Sequence, residues 1–381
     1  MRFEQEPVIA WLKNILRGPY RAIRSHPLTK TILMTRARIL QTVSLNIRGA
    51  RRAKKLIIFL VPGREMFSGG ILSIFNLYRY SCDMGGGGAQ VFVCFYPGEA
   101  GEISRYVRFS NNVRIYPFEM LISVCRDATE VLIHLPEFSA ERIVNRMGWE
   151  ELKSLRAEKN LKVNILNQNV TLMPRQEFID QLRGVIPDLT CTTAHPRYTT
   201  AEFRQQWGVP LHFLPAWTYP DRAPATSYET KRNLMIVSHD ESSFKEIVLD
   251  VLRRRFPELE ILVIERMKFQ DYIKLEKAAK WALTFGEGMD GYFGGVTLRG
   301  GVGFAVFNNE FFTEEYRVLP TVYPDYETLI NRIADDIQAL DHKQGMETYN
   351  AQVRRLITKT WGPDKTRAAL AAFYRGEFTF P

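Results

Sequence analysis

From Lys55 onward, short apolar runs alternate with stretches whose apolar residues recur at helical spacing, the pattern of strands and helices taking turns in a parallel α/β sheet. LIIFLVP (56–62) predicts a strand, GILSIFNLYRYS (70–81) a helix and AQVFVCFYP (89–97) the next strand. Further strands are expected at VRIYPF (113–118), EVLIHLP (130–136), LKVNILNQ (161–168) and LTCTTAH (189–195), with helices such as MPRQEFIDQLRG (173–184) and TTAEFRQQWG (199–208) between them. This domain, residues 56–217, ends near Trp217. The segment TYPDRAPATSYETK (218–231) is rich in Pro, Thr and Ser without an apolar period, which suits a linker.

A second series follows at 232–340: strand NLMIVSH (233–239), helix FKEIVLDVLRRRF (244–256), strand ELEILVIE (258–265), helix FQDYIKLEKAAK (269–280), strand WALTF (281–285), a glycine-rich loop and strand FAVF (304–307). YETLINRIADDIQALDH, METYNAQVRRLITKTW and PDKTRAALAAFYRG continue as helices, the last two within 341–381. The expected fold is therefore α/β, with two Rossmann-like domains facing a cleft where the strands' carboxyl ends meet, since ligands of such sheets bind there.

Residues 1–55 follow a different pattern. Val8, Ile9, Trp11, Leu12, Ile15 and Leu16 have helical spacing, as do Ile32, Leu33, Ile39, Leu40, Val43 and Ile47, with Lys and Arg on the remaining faces. The stretch holds thirteen Lys or Arg against two Glu, a net +11, so with the whole chain at +9 the remainder carries −2. Basic amphipathic helices suit an anionic membrane surface, and their apolar faces suit equally the protein body or a second copy in a homo-oligomer. Nucleic acid is not an expected partner, because no stacking platform or nucleic-acid motif accompanies the charge. At 381 residues the chain has room for two cores, and its 45% hydrophobic and 24% charged residues fit a globular protein. Cys82, Cys94, Cys125 and Cys191 lie far apart with no C-x-x-C pair, which argues against zinc or a disulfide framework and for a reducing compartment. No apolar run is long enough to span a bilayer, so the expected location is cytoplasmic, with room for a peripheral position at the inner membrane face.

The candidate chemistry gathers at strand ends. Eight glycines fall within Gly286–Gly303 and surround Glu287, Asp290 and Arg299, a segment expected to be a loop forming the cleft floor. The alternative is a surface loop with incidental charges. Ser68, Gly69 and Gly70 lie at a helix start just past a strand, where free N–H groups and the helix dipole suit a phosphate, or simply a well-capped turn. His239 closes a strand, and Lys245 in the next helix's first turn could neutralise a diphosphate leaving group or be a solvated helix lysine. Arg299, among glycines, is expected to offer a free guanidinium for bidentate phosphate pairing. His134 sits on an apolar strand whose end opens on the cleft, where it is a catalytic candidate or a core histidine. Asn167, Gln168 and Asn169 could bond sugar hydroxyls, and His195 closes the next strand. No G-x-x-x-x-G-K-[ST] occurs, which disfavours triphosphate hydrolysis, and no D-x-D pair stands at a strand end to hold a metal.

With these residues in place, the order of elements resembles a GT-B glycosyltransferase, specifically the retaining group that uses nucleotide-diphosphate sugars without a metal. Gly69-Gly70 are similar to the family's Gly-Gly after the first strand. LMIVSHDESSFKEIVLDVLRRRFPELEILVI resembles its strand, V-G-R-L loop and lysine-bearing helix, with His239 where Arg is usual and Lys245 at or beside the donor-phosphate lysine. GEGMDGYFGGVTLRGGVGFAV resembles its E-G-x-G to G-x-P-V segment, with Glu287-Gly288 in the E-G place and Gly303 to Val306 in the G-x-P-V place. TTAHPRYTTAEFRQQWGVPLHFLPAW is similar to the last strand and helix before the hinge, and the likeness spans roughly 56 to 340. The family's second glutamate stands eight positions after the first; here position 295 is Gly, and 298, the same distance from Asp290, is Leu.

The resemblance implies sugar transfer from a nucleotide-diphosphate donor to a glycan or lipid-linked acceptor in cell-surface polysaccharide synthesis, with no cofactor beyond the donor. It would place Lys245, Arg299, Ser68, Gly69, Gly70, His239 and Gly288 around the donor, and Glu287, Asp290 and His134 at the reacting sugar. The alternatives are a catalytically inactive GT-B-like scaffold or partner subunit, favoured by the missing second acid, and a sugar-nucleotide epimerase.

Overall fold

The computed structural model describes residues 49–66, 68–97, 105–109, 111–144, 148–219, 225–265 and 267–381, together with 39, 41 and 43–45. The apolar pattern at 8–16, most of that at 32–47 and residues 220–224 of the expected linker lie outside them. The first lobe alternates β1 (Lys55–Val61), α1 (Gly69–Asp83), β2 (Gln90–Phe95), β3 (Ile115–Pro117), α2 (Phe118–Val124), β4 (Glu130–Pro136), α3 (Glu137–Val144), α4 (Gly148–Glu158), β5 (Asn160–Asn167), α5 (Gln176–Val185), β6 (Leu189–Thr193), α6 (Ala201–Trp207) and β7 (Leu211–Phe213). Its seven strands lie in the order β3-β2-β1-β4-β5-β6-β7, all pairs parallel. Covered on both faces, β1 is buried at every residue from Leu56 to Val61, which is why its sequence is continuously apolar.

The second lobe follows with β8 (Arg232–Val237), α7 (Lys245–Arg255), β9 (Glu260–Val263), α8 (Phe269–Ala278), β10 (Ala279–Leu283), α9 (Gly291–Leu298), β11 (Val302–Val306), β12 (Val322–Tyr323), α10 (Tyr326–Leu340), α11 (Lys343–Trp361) and α12 (Pro363–Tyr374). Its five strands run β12-β11-β10-β8-β9, again all parallel. Each sheet reverses its direction of growth once, between β1 and β4 in the first and between β8 and β10 in the second. Loops leaving two such strands diverge to opposite faces and open a crevice between them. The crevice in the second lobe lies between the loop leading to Lys245 and the loop carrying Glu287.

One contiguous apolar cluster joins the lobes, running from Phe59 and Phe75 through Leu214 and Trp217 to Trp281 and Phe304. The chain's end returns to the first lobe. Thr366 Oγ1 donates to the Pro215 carbonyl, the Tyr374 and Ser81 hydroxyls share a hydrogen bond, and Phe380 forms an antiparallel bridge with Leu211 on the edge strand β7. That bridge covers a row of backbone groups that would otherwise be exposed.

Candidate active site

At the crevice of the second lobe, Lys245 is the first residue of α7 and its ammonium donates to the carbonyls of Ser238 (2.9 Å) and Asp240 (3.2 Å). These bonds hold the charge at the end of β8, 6.0 Å from the centre of the Phe285 ring. Asp240, which no sequence motif singles out, lies over Gly286 so closely that a Cβ there would come within 2.6 Å of its Oδ2. His239 Nδ1 lies 3.4 Å from the Tyr292 hydroxyl. Gly288 has φ 82°, a conformation other residues rarely adopt, and the Phe312 ring fills the space a side chain would need.

Glu287 faces the opposite lobe, where Asn169 Nδ2, beyond the end of β5, donates to its Oε1 at 3.3 Å. Its surface is open to the crevice, yet the surrounding walls desolvate it and the carboxylates of Asp290 and Asp240 repel its charge. Together they push its pKa up to about 7, so a proton or an added cation there is favourable near neutrality.

Two expectations for the glycine-rich segment are corrected. Residues 291–298 form the helix α9 rather than a loop, and Asp290 is its N-cap. Asp290 Oδ1 accepts from the amides of Tyr292 (2.8 Å) and Phe293 (3.0 Å), and Oδ2 accepts from the Thr284 hydroxyl. With both oxygens engaged in holding a helix start, this carboxylate is not free to grip a sugar hydroxyl. Burial raises its pKa to about 6 against the pull of those hydrogen bonds. Glycines are poor helix formers, but here they allow close approach: a Cβ at Gly294 would overlap the Tyr219 hydroxyl, and one at Gly295 would overlap Glu276 Oε1.

Arg299, second, presents no free guanidinium to the crevice. It is 6% exposed at the C-cap of α9, and its Nε lies 3.4 Å from Oε2 of Glu276, itself 1% exposed. Burial raises the Glu276 pKa, and Arg299 opposes that rise. Lys231 joins this buried group, its pKa lowered to about 7 by burial, with Nζ donating to the Lys277 carbonyl at 3.0 Å. The glycine at 295 thus has a physical reason: a carboxylate from α8 already occupies the space beside it.

On the first lobe, Ser68 caps α1, its Oγ accepting from the Ile71 amide at 3.3 Å, and the N–H groups of Gly69 and Gly70 precede the first intrahelical bond. Gln168 Nε2 donates to the Gly70 carbonyl at 3.0 Å, tying the turn after β5 to this helix start. Glu137, at the start of α3, was not anticipated. It is 4% exposed, its Oε1 accepts from the Asn169 amide at 3.2 Å, and burial lifts its pKa to about 7 against three backbone donors. It fixes the turn that carries Asn169 to Glu287. Asn167 is buried beside them, and its amide finds no partner among the described residues. His195 caps the short turn that follows, Nδ1 accepting from the Arg197 amide at 3.1 Å, and burial lowers its pKa to about 4.

His134 is corrected as well. Its ring is wholly buried, stacked on Phe59 at 4.4 Å, with Nδ1 3.1 Å from Asn164 Nδ2 and Nε2 3.4 Å from the Tyr374 hydroxyl. Burial lowers its pKa to about 3, so it remains neutral in the core of the first lobe and does not open on the crevice. Among the described residues no group of three His, Cys, Asp or Glu could hold a metal ion.

The lobes meet through Asn169–Glu287, through Arg197 Nη1 donating to the Asn309 carbonyl at 2.6 Å, and through Trp361 Nε1 donating to the Ala194 carbonyl at 3.1 Å. No protein-family model and no curated protein sequence matches the chain. Solved structures do match it in shape. An α-glucosyltransferase in complex with UDP and a 13-mer DNA aligns with TM-score 0.57 at 7% identity, over 85% of this chain and 100% of its own. The same kind of enzyme with UDP alone gives 0.55 at 7% identity, over 84% and 99%. Anabaena HepE in complex with UDP-glucose gives 0.53 at 10% identity, again over 84% and 99%. At such identities the likeness is one of architecture: two Rossmann-like lobes about a crevice, the GT-B fold.

Proposed function

We propose that the protein is a glycosyltransferase that moves a sugar from a nucleotide-diphosphate donor to a hydroxyl of a glycan or lipid-linked acceptor, as in polysaccharide synthesis. The observation that carries this reading is that the two loops at the switch point of the second sheet carry, on one side, an ammonium fixed at a strand end and, on the other, Glu287, which faces Asn169 of the other lobe. Its neighbours in shape were solved with UDP or UDP-glucose.

In this mechanism Lys245 sits by the diphosphate, and the amides at Gly69 and Gly70 approach it from the first lobe. Glu287 orients the donor sugar. The bond from the anomeric carbon to the phosphate oxygen breaks, the acceptor oxygen bonds to that carbon from the same face, and the acceptor's proton passes to the departing diphosphate. Charge neutralisation at the leaving group by the protein rather than by a metal is the part assigned to Lys245. Arg299, Asp290 and His134 have no part in it.

A second reading, a catalytically silent GT-B partner subunit, draws on the carboxylate that fills the space at Gly295 and on the internal pairing of Arg299. Incubation with UDP-glucose and a panel of oligosaccharide and lipid-linked acceptors, followed by NMR, separates the cases. A new anomeric signal that requires acceptor supports transfer. Donor turnover without acceptor indicates an epimerase or hydrolase, and an unchanged donor across a panel of bases and sugars leaves the silent subunit.

A further inference from the structure

The edge of the first lobe around the start of β3 gathers positive charge that the proposed transfer does not use. A cavity of about 430 Å³ is lined there by Ser44, Tyr78, Arg79, Asn111, Arg114 and Tyr116, among others. Arg79 and Arg114 are both exposed; Arg79 reaches only the Asn111 side-chain oxygen, at 3.5 Å, and neither has a carboxylate partner among the described residues. Arg79 lies in the second half of α1, and residues 111–114 lead into β3. Because α1 runs back from the carboxyl ends of the strands, this cavity lies toward the opposite end of the sheet from the crevice.

A helical segment of the N-terminal stretch reaches the same edge. Gln41 Nε2 donates to the Ile115 carbonyl at 3.4 Å, Ser44 Oγ shares a hydrogen bond of 3.0 Å with the Tyr116 hydroxyl, and Leu45 is fully buried. Ile39 and Val43, one helical turn apart, stay outside this contact and are 58% and 47% exposed. In sequence, no Asp or Glu occurs between Glu6 and Glu65, while Lys and Arg recur throughout. An exposed apolar pair beside unpartnered arginines, within a stretch free of acids, matches a surface that is apolar within and anionic at its face.

We propose that this edge docks on an anionic phospholipid surface, with a lipid phosphate in the cavity between Arg79 and Arg114 and with Ile39 and Val43 entering the headgroup layer. Docking here leaves the crevice, toward the other end of the sheet, open to a soluble donor. This reading does not depend on the enzymatic one, because its observable is adsorption.

The test is flotation of the full chain with phosphatidylcholine vesicles, with and without phosphatidylglycerol. The protein should float with the anionic vesicles and stay behind with the neutral ones. Arg79→Glu with Arg114→Glu should lower the apparent vesicle affinity at least about tenfold at unchanged melting temperature, each basic residue near such a surface contributing several-fold. Arg79→Gln with Arg114→Gln, which removes charge without reversing it, should give a smaller loss in the same direction. Ile39→Ser with Val43→Ser should weaken binding while its salt dependence is retained. Wild-type adsorption by the folded charge-reversed or glutamine variants would overturn the proposal. So would equal binding to neutral vesicles, or inorganic phosphate at millimolar levels stabilising the protein through Arg79 and Arg114 without any flotation. A duplex DNA bound more tightly than vesicles and released by the same substitutions would overturn it in favour of nucleic acid.

Discussion

The two sides of α9 are made from one short stretch of sequence and do opposite things with charge. In front, Glu287 stands at the crevice with its carboxylate reached from the other lobe by Asn169, and Lys245 lies across the switch point. Behind, Arg299 and Glu276 are paired and buried, and the Glu276 side chain fills the space that glycine at 295 leaves open. A charge in front is available to a ligand because its protein bonds are few and face water. A charge behind is committed, since moving it would strand its partner in an apolar interior. Residue type alone does not separate the two; the side of the helix does.

The largest effect is expected behind the helix. Arg299→Ala should destabilise the fold by about 3–5 kcal/mol, because it leaves the Glu276 carboxylate buried and unpaired. Replacing both, Arg299→Met with Glu276→Leu, should recover most of that loss in a urea titration. A stable Arg299→Ala that has lost only turnover would break the comparison and return the guanidinium to the crevice.

The front should respond the other way. Lys245→Ala is expected to raise the barrier to transfer by about 2–4 kcal/mol, as loss of a preorganised charge does, with the unfolding midpoint nearly unchanged. Assays of turnover and urea unfolding on the same preparation read both quantities. Loss of folding with Lys245→Ala would show that its bonds to Ser238 and Asp240 are its whole purpose.

A smaller effect separates the two carboxylates by pH. Folded-state values raised from 4.5 to about 7, as for Glu137 and Glu276, give stability that is complete below 4.5 and lost as the pH rises through 7. His134 and His195, lowered from 6.5 to about 3 and about 4, act in the opposite sense and cost stability only below 6.5. Melting temperature should therefore fall as the pH rises towards 7, most clearly between about pH 6 and pH 7 where the histidines no longer oppose it, and Glu276→Gln should flatten that fall; above pH 7 the lowered Lys231 acts in the opposite sense. Glu287→Gln should instead alter ligand binding: a diphosphate brought near Glu287 favours its protonated form, so wild-type affinity should rise as pH falls through 7 and the variant's should not. A pH-independent wild-type affinity would contradict this assignment.

Much of the fold was legible because buried parallel strands must be apolar on both faces, as LIIFLV and LMIV are. β7 and β12 escaped notice because two or three residues carry no period. Residues 291–298 read as a loop in sequence because their three glycines outweigh the Asp290 cap, although Asp before G-Y-F is itself a helix-start signal. The strand ends bearing Lys245, Glu287 and Gly69-Gly70 could be found from the alternation of elements alone. The fates of Arg299 and His134 could not, because each depends on a partner far away in sequence, Glu276 on α8 for one and Asn164, Phe59 and Tyr374 for the other. Asp240 and Glu137 carried no motif, and only the fold brings them to the crevice edges.

The claim on which the rest depends is that a nucleoside diphosphate is held at the switch point of the second sheet by the ammonium of Lys245. Isothermal titration of UDP and UDP-glucose into wild-type protein and Lys245→Ala tests it directly. The account predicts binding to the wild type and an affinity at least about tenfold weaker in the variant, the loss of one charge-assisted contact. Equal affinity in the two proteins, or no heat with any nucleoside diphosphate, would contradict it.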